Sequence, residues 1–385
     1  MRLFSIIENL SDEYGGPAVS LPCLLNSLRN EKSIDSVIYS ISLSDSEINS
    51  KVQEYELSWK VAPLSGWKKL MFSNSLKKCV NNDVRDGDVI FLNNLWNYPA
   101  ILAYQIAKAK GAPLIVSVRG SLFDWSLQQG KIRKKIAWFL FQRKILQDAR
   151  VIHVTSEDEY LAVRKLGIST PVALIPHGVD FFNHTSEIDC EIAKADLSLS
   201  TSKRYFLFMS RLHKKKGLDI LLKVWGKINH LYPEWELLIA GPDYGNFVDN
   251  ISEVGQTKYL GMLKGSDKAN VLSASSFFVL PTHSENFGVV IGEALSAGLP
   301  VITTRNAPWG EIESFDCGHL TTLCESDLEK SLRSYLELDK STLVAKGRRG
   351  RDLIRKSYSW DKQAHKFSAV LKLIDQDLTS LDFVR

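Results

Sequence analysis

Short apolar runs recur along this chain at residues 3–7, 36–40, 89–92, 114–118, 151–155 and 172–175, with stretches of helical spacing between most of them. That alternation predicts a parallel, doubly wound sheet. The pattern restarts at residues 205–209, where a strand is followed by Leu218, Leu221, Leu222, Trp225, Ile228 and Tyr232 at helical spacing. Residues 235–240 give another strand, and residues 360–374 a closing helix. Between them lies the segment that organises the rest, FFVLPTHSENFGVVIGEALSAGLPVITTRNAPWG at 277–310. Residues 277–280 read as a buried strand ended by Pro281. The next apolar run is too long for a strand and predicts a helix, capped by Ser284 or Asn286 and closed by Gly298, before a strand at 299–303.

A chain of 385 residues exceeds what one core usually serves. The spacing predicts an α/β protein of two Rossmann-like domains, at 1–182 and 204–357. A polar, Ala- and Ser-rich linker or loosely held helix is expected at 183–203, and the end of the chain, 358–385, is expected to return to the first domain.

Composition narrows the function by exclusion. A formal charge of +4 gives little support for a nucleic-acid partner. The five cysteines are scattered without CxxC or Cys/His spacing, which argues against a disulfide framework and a zinc site and for a reducing, cytoplasmic setting. No acidic cluster suggests a metal, and no GxGxxG follows the first strand, which weakens a nicotinamide or flavin reading; no cofactor is expected. The N-terminus turns polar too quickly for a signal peptide, and no apolar run is long enough to span a membrane.

From 286 to 304 the only charged residue is Glu293. Burying a lone carboxylate costs on the order of several kcal/mol, so it needs a partner. Glu285 stands eight residues earlier, in the turn that enters the helix, and Gly288 and Gly292 clear side chains between the two acids. At about 1.5 Å per residue the acids lie roughly 12 Å apart along the helix, too far to share a proton or a metal. They suit the two ends of an extended ligand, with N–H groups near Phe287, Gly288 and Val289 turned to an anion or hydroxyl. The bland alternative is that Glu285 favours the helix dipole and Glu293 finds a surface gap.

These acids in the setting PTHSENFGVVIGEALSAGLPVI resemble the paired-glutamate motif of retaining glycosyltransferases of family 4, which have the GT-B fold of two Rossmann-like domains facing each other across a cleft. The resemblance runs from Gly15, Gly16 and Pro17 to Trp360. It implies that Glu285 holds donor-sugar hydroxyls, that Glu293 and the neighbouring Asn286 belong to the donor site, with Glu293 on the ribose, and that catalysis needs no metal. Arg211 and Lys216 match the pair that grips the donor diphosphate. Cations at a helix N-terminus oppose the dipole unless an anion joins them, which points the same way. Lys214 and Lys215 are read as surface charge. Met262 and Leu263 match a base-binding turn.

Gly15 and Gly16 begin a helix after the first strand, where backbone can approach a phosphate or sugar, although a plain tight turn is the alternative. Arg119 follows the strand LIVSV, where many relatives carry a histidine. Its planar fork suits a phosphate, or else a structural ion pair. His177, where asparagine is more usual, is read as structural, and Trp309 as packing alone.

The stretch at 131–144 sets Lys131, Arg133, Lys134, Lys135, Arg143 and Lys144 around Ile136, Trp138, Phe139, Leu140 and Phe141. A domain helix with a solvated basic face explains it; so does peripheral contact with anionic lipid at the inner face of the cytoplasmic membrane. The expected activity is transfer of a sugar from a nucleotide-diphosphate sugar to a sugar or lipid-linked saccharide acceptor, in surface polysaccharide synthesis such as O-antigen or capsule. An epimerase, or a non-catalytic nucleotide-sugar binder on the same fold, is the alternative.

Overall fold

The computed structural model describes residues 1–11, 15–32, 34–42, 50–66, 70–182, 187–374 and 376. The chain divides into two compact units, one of residues 1–178 with 360–385, the other of residues 179–359.

The first unit is built on seven parallel strands, β1 (Leu3–Ile7), β2 (Ser36–Ser42), β3 (Ser58–Pro63), β4 (Val89–Asn93), β5 (Leu114–Ser117), β6 (Val151–Val154) and β7 (Val172–Leu174), in the order β3-β2-β1-β4-β5-β6-β7. Strands β1, β4, β5 and β6 are buried along their whole length, as a sheet covered by helices on both faces requires. The helix Trp360–Leu373 belongs to this unit and packs against the helix Gly16–Lys32. Its Phe367 ring lies 4.9 Å from Phe91 and 5.8 Å from His153. A side chain at Gly178 would collide with Trp360, so this crossing needs glycine.

The second unit holds β8 (Arg204–Met209), β9 (Trp235–Ala240), β10 (Thr257–Tyr259), β11 (Phe277–Leu280), β12 (Val301–Thr304) and β13 (Gly318–Thr321), all parallel, in the order β10-β9-β8-β11-β12-β13. Phe206 and Phe277 stack at 5.1 Å, with Trp225 and Trp235 edge-on to them. This aromatic centre fixes β8 beside β11.

Of the 183–203 stretch, residues 183–186 lie outside the described ones; Glu187–Asp196 is a helix, the second of the two forms expected, and it packs on the helix Gly265–Ala274, with Ala193 and Leu199 in the second unit's core. The helix after β11 spans Val289–Ser296, and Gly288 caps it in the left-handed region at φ 78° with no side-chain bond, so neither Ser284 nor Asn286 is its cap.

Candidate active site

In the second unit the chain runs outward from β8 through β9 to β10, then returns to lay β11 on the other side of β8. The loops leaving β8 and β11 therefore diverge at a topological switch point, where open α/β sheets hold their ligands. The loop after β8 carries Arg211 and a tight turn at Lys214–Lys216, capped by His213, whose Nδ1 accepts from the Lys215 N–H at 3.0 Å. Gly217 follows at φ 72°, and a side chain there would strike the Pro281 carbonyl. Main-chain bonds tie the two loops: Lys215 O accepts from His283 N at 2.8 Å and from Thr282 Oγ1 at 3.1 Å.

That closeness brings the Lys216 ammonium into an ion pair with Glu285 Oε1. Both side chains are buried, at 9% and 8% residue exposure. Burial pushes the Lys215 ammonium below its ordinary pKa, and the neighbouring cations Lys216 and Arg211 push the same way against Glu285. Lys215, expected at the surface, is thus a third cation of the cluster; the sequence pattern gave no sign of it, because three lysines in a row differ only in where the turn aims them. Arg211 is exposed and has no hydrogen-bond partner among the described residues. Three cations around one carboxylate leave net positive charge on a fixed scaffold, which suits an anion.

Glu293 sits in the middle of the helix Val289–Ser296, and its Oε1 accepts from Lys268 Nζ at 2.6 Å. Its Oε2 is buried without a hydrogen-bond partner, and so is Asn286 Oδ1. Buried acceptors lacking a donor are rare in folded proteins. Two of them, one just before this short helix and one within it, fit a ligand that brings hydroxyl donors.

The residues between the acids behave differently from their spacing. Phe287 is buried against Trp309, at 5.1 Å, and its carbonyl accepts the Trp309 Nε1 proton at 2.5 Å. Trp309 is fully buried and serves packing. Gly292 admits no ligand, for a side chain there would meet Val179 and Trp309; close packing of the protein on itself explains this glycine. Gly288 serves the turn, and Val289 opens the helix, half-buried. Met262 is 48% exposed in the loop after β10, and Leu263 packs partly on the core. The same sheet edge is held together by Tyr259 Oη donating to Gly241 O at 2.9 Å and by Gly241 N donating to Gly261 O at 2.7 Å.

The other expected residues lie in the first unit, at the carboxyl edge of its sheet. Gly15 has φ 90° and Gly16 begins the helix after β1, and a side chain added at either would meet nothing within 4 Å. Residues 12–14 of that turn lie outside the described ones. Arg119 takes φ 46°, and its guanidinium donates to Asn93 Oδ1 at 3.1 and 2.6 Å and to Ser20 Oγ at 2.9 Å. Through these bonds it braces β4, β5 and the first helix. Asn94 at φ 104° and Trp96 at φ 76° share this strained edge. Glu159 accepts from Gly120 N, from Thr155 N at 2.6 Å and from Thr155 Oγ1 at 2.8 Å, and burial raises its pKa. Burial lowers the pKa of His177 well below the ordinary range and that of His153 to about 4. Both rings are neutral packing groups.

A family model described as glycosyl transferases group 1 matches residues 189–342, and one described as glycosyl transferase 4-like domain matches residues 46–178. The chain belongs to the group 1 glycosyltransferases. This group 1 glycosyltransferase is 27% identical over 304 residues to the GDP-mannose-dependent monoacylated alpha-(1-6)-phosphatidylinositol monomannoside mannosyltransferase of Corynebacterium glutamicum, covering 73% of this chain and 76% of that one. It is 26% identical over 240 residues to the GDP-mannose:cellobiosyl-diphosphopolyprenol alpha-mannosyltransferase of Xanthomonas campestris, covering 59% of this chain and 58% of the relative. Among solved structures it resembles Anabaena HepE in complex with UDP-glucose, with a TM-score of 0.78 at 18% identity over 97% of this chain and 99% of that one. That likeness is one of fold, and the fold of this glycosyltransferase is GT-B.

Proposed function

We propose that this glycosyltransferase moves a sugar, with retention of anomeric configuration, from a nucleotide-diphosphate sugar to a hydroxyl of a lipid-linked saccharide, in surface polysaccharide assembly at the inner face of the cytoplasmic membrane. The observation that carries the reading is the buried Lys216/Glu285 pair at the switch point, set among surplus cations. The costly event is departure of the diphosphate while the anomeric carbon gains cationic character. Lys216 and Arg211, with Lys215 behind them, offset the charge growing on the leaving oxygen, as preorganised electrostatics do.

The remaining roles follow the chemistry of each group. Glu285 orients donor-sugar hydroxyls beside the reacting carbon. Glu293 Oε2 and Asn286 Oδ1 accept hydrogen bonds from donor hydroxyls, the former from the ribose. The backbone at Gly288 and Val289 faces the phosphates, and Met262 and Leu263 the base. Gly15 and Gly16 serve the donor, beside its phosphates, or the acceptor.

A carboxylate already engaged by an ammonium is a poor nucleophile, which favours attack on the donor's own face over a covalent glycosyl-enzyme. In that step the acceptor oxygen bonds to the anomeric carbon as the bond to phosphate breaks, and the leaving diphosphate keeps the electron pair and receives the acceptor proton. The two mannosyltransferase relatives, named for a phosphatidylinositol monomannoside and a cellobiosyl-diphosphopolyprenol acceptor, support the acceptor class.

Incubating the purified protein with a panel of UDP, GDP and ADP sugars and lipid-linked acceptors, with NMR of the product, tests this. One donor should release its nucleotide diphosphate and give a product with the donor's anomeric configuration. An inverted product contradicts the mechanism, an epimerised donor favours the epimerase, and binding without release of nucleotide favours the non-catalytic binder.

A further inference from the structure

Residues 131–148 form one continuous helical stretch in the first unit: α-helical at Lys131–Ala137, one π-helical turn at Trp138–Gln142, and α-helical again at Arg143–Asp148. Its inner side is fully used. Trp138 and Phe141 pack on the first unit's core, Trp138 lies 6.4 Å from Trp96, Gln142 Oε1 accepts from Trp96 N at 3.0 Å, and Ile145 and Leu146 are completely buried. Lys134 also turns in, donating to Ser126 O at 2.6 Å.

The outer side is unlike an ordinary solvated face. Ile132, Ile136, Phe139 and Leu140 are 77%, 55%, 70% and 74% exposed. Their spacing places them along one side of the helix, and the wide π turn lets two consecutive residues, Phe139 and Leu140, point outward together. Exposed cations flank them, at Lys131, Arg133, Lys135, Arg143 and Lys144, and no acidic residue occurs in the sequence between Asp124 and Asp148. Four large apolar side chains in one exposed row are more than scattered surface hydrophobics, and folding does not need them.

We propose that this face docks on an anionic bilayer surface, with Ile132, Ile136, Phe139 and Leu140 entering the level of the headgroups and the five cations meeting lipid phosphates. Charge selects the occupant: an apolar row edged only by cations matches a surface of dense negative charge over a hydrocarbon layer. Among the described residues no helix is long and apolar enough to cross a membrane, so contact through this face is peripheral. The proposal deepens the lipid-linked acceptor of the preceding reading, but vesicle binding is measured without catalysis, so each can fail alone.

The test is sedimentation of the full chain with phosphatidylcholine vesicles and with vesicles that also contain phosphatidylglycerol, at low and high salt. Wild type should bind only the anionic vesicles, more weakly as salt shortens screening to about 8 Å and below. The charge variant Lys131→Glu/Arg133→Glu/Lys135→Glu should lose affinity on the order of a hundredfold. The apolar variant Ile136→Ser/Phe139→Ser/Leu140→Ser should lose the part of binding that persists at high salt. All six positions are exposed, and unchanged circular dichroism together with unchanged transfer to a short soluble acceptor shows that each variant is folded. Wild type that ignores anionic vesicles, or either variant binding as wild type does, overturns the proposal. Self-association without lipid binding, abolished in the apolar variant, overturns it in favour of a contact between copies of the chain. Vesicle binding as expected with no transfer from any donor would retain the docking face and remove the glycosyltransferase reading instead.

Discussion

Lys216 and Glu285 stand 69 residues apart in the chain and meet as a buried ion pair where the loops leaving β8 and β11 diverge. Removing one member of a buried pair strands the other, at a cost of roughly 3–5 kcal/mol. A buried pair is weak evidence for stability gained, because a well-packed apolar pair often does as well. Its position at the ligand-binding edge of the sheet makes function the better account of it.

Glu285→Gln should lower turnover far more than affinity for the free nucleotide, whereas Glu293→Gln should weaken nucleotide binding about tenfold, through loss of a charge-assisted hydrogen bond. Titration of both variants with the nucleoside diphosphate separates the roles. Equal losses in the two would mean that the acids do not serve opposite ends of the donor.

Gly217→Ala should cost about 2–4 kcal/mol and lower transfer, because φ 72° disfavours a side chain and the added methyl would force the β8 and β11 loops apart. Gly16→Ala, a substitution that meets no atom within 4 Å, should leave stability nearly unchanged. Urea unfolding of the two variants checks the contrast, and a stable Gly217→Ala would show that the loops do not need their observed approach.

Acid should weaken the first unit through His153. Burial lowers its pKa from 6.5 to about 4, and the ring is held neutral between Ser117 Oγ and Ile175 O, each at 2.9 Å. The unfolded chain therefore binds the proton first as pH falls. The contribution is whole above pH 6.5, declines towards pH 4 and levels off below, worth about 2 kcal/mol between pH 7 and pH 5. Hydrogen exchange of the β6 amides at the two pH values measures it, and His153→Gln should flatten the dependence by that amount. An unchanged slope in the variant would assign the acid sensitivity elsewhere.

Periodicity alone exposed most of the sheet in both units, because strands buried on both faces leave continuous apolar runs. It missed β3, β10 and β13, β10 being only three half-buried residues. In β3 most of SWKVAP is exposed at a sheet edge, and β13 is four residues beginning with glycine. The paired acids were legible as a motif, and the need of Glu293 for a partner followed from its apolar surroundings. That the partner is Lys268, on another helix, was not legible, since a contact between distant segments leaves no spacing in the chain. Gly292 was misread for a related reason: a glycine marks close approach, and the sequence does not say whether ligand or protein approaches. In the basic stretch, the sequence did not say which of the apolar residues face out: Trp138 packs near Trp96, whereas Phe139 is exposed.

If Lys216 and Glu285 form the reacting centre, a double-mutant cycle on the transfer rate at saturating donor reveals it. Lys216→Ala and Glu285→Gln should each lower kcat about a hundredfold or more, as loss of a preorganised electrostatic group does. The double variant should be little worse than the poorer single one, because the two groups act as a unit. Near-normal turnover in Lys216→Ala, in protein shown to be folded, would contradict the account.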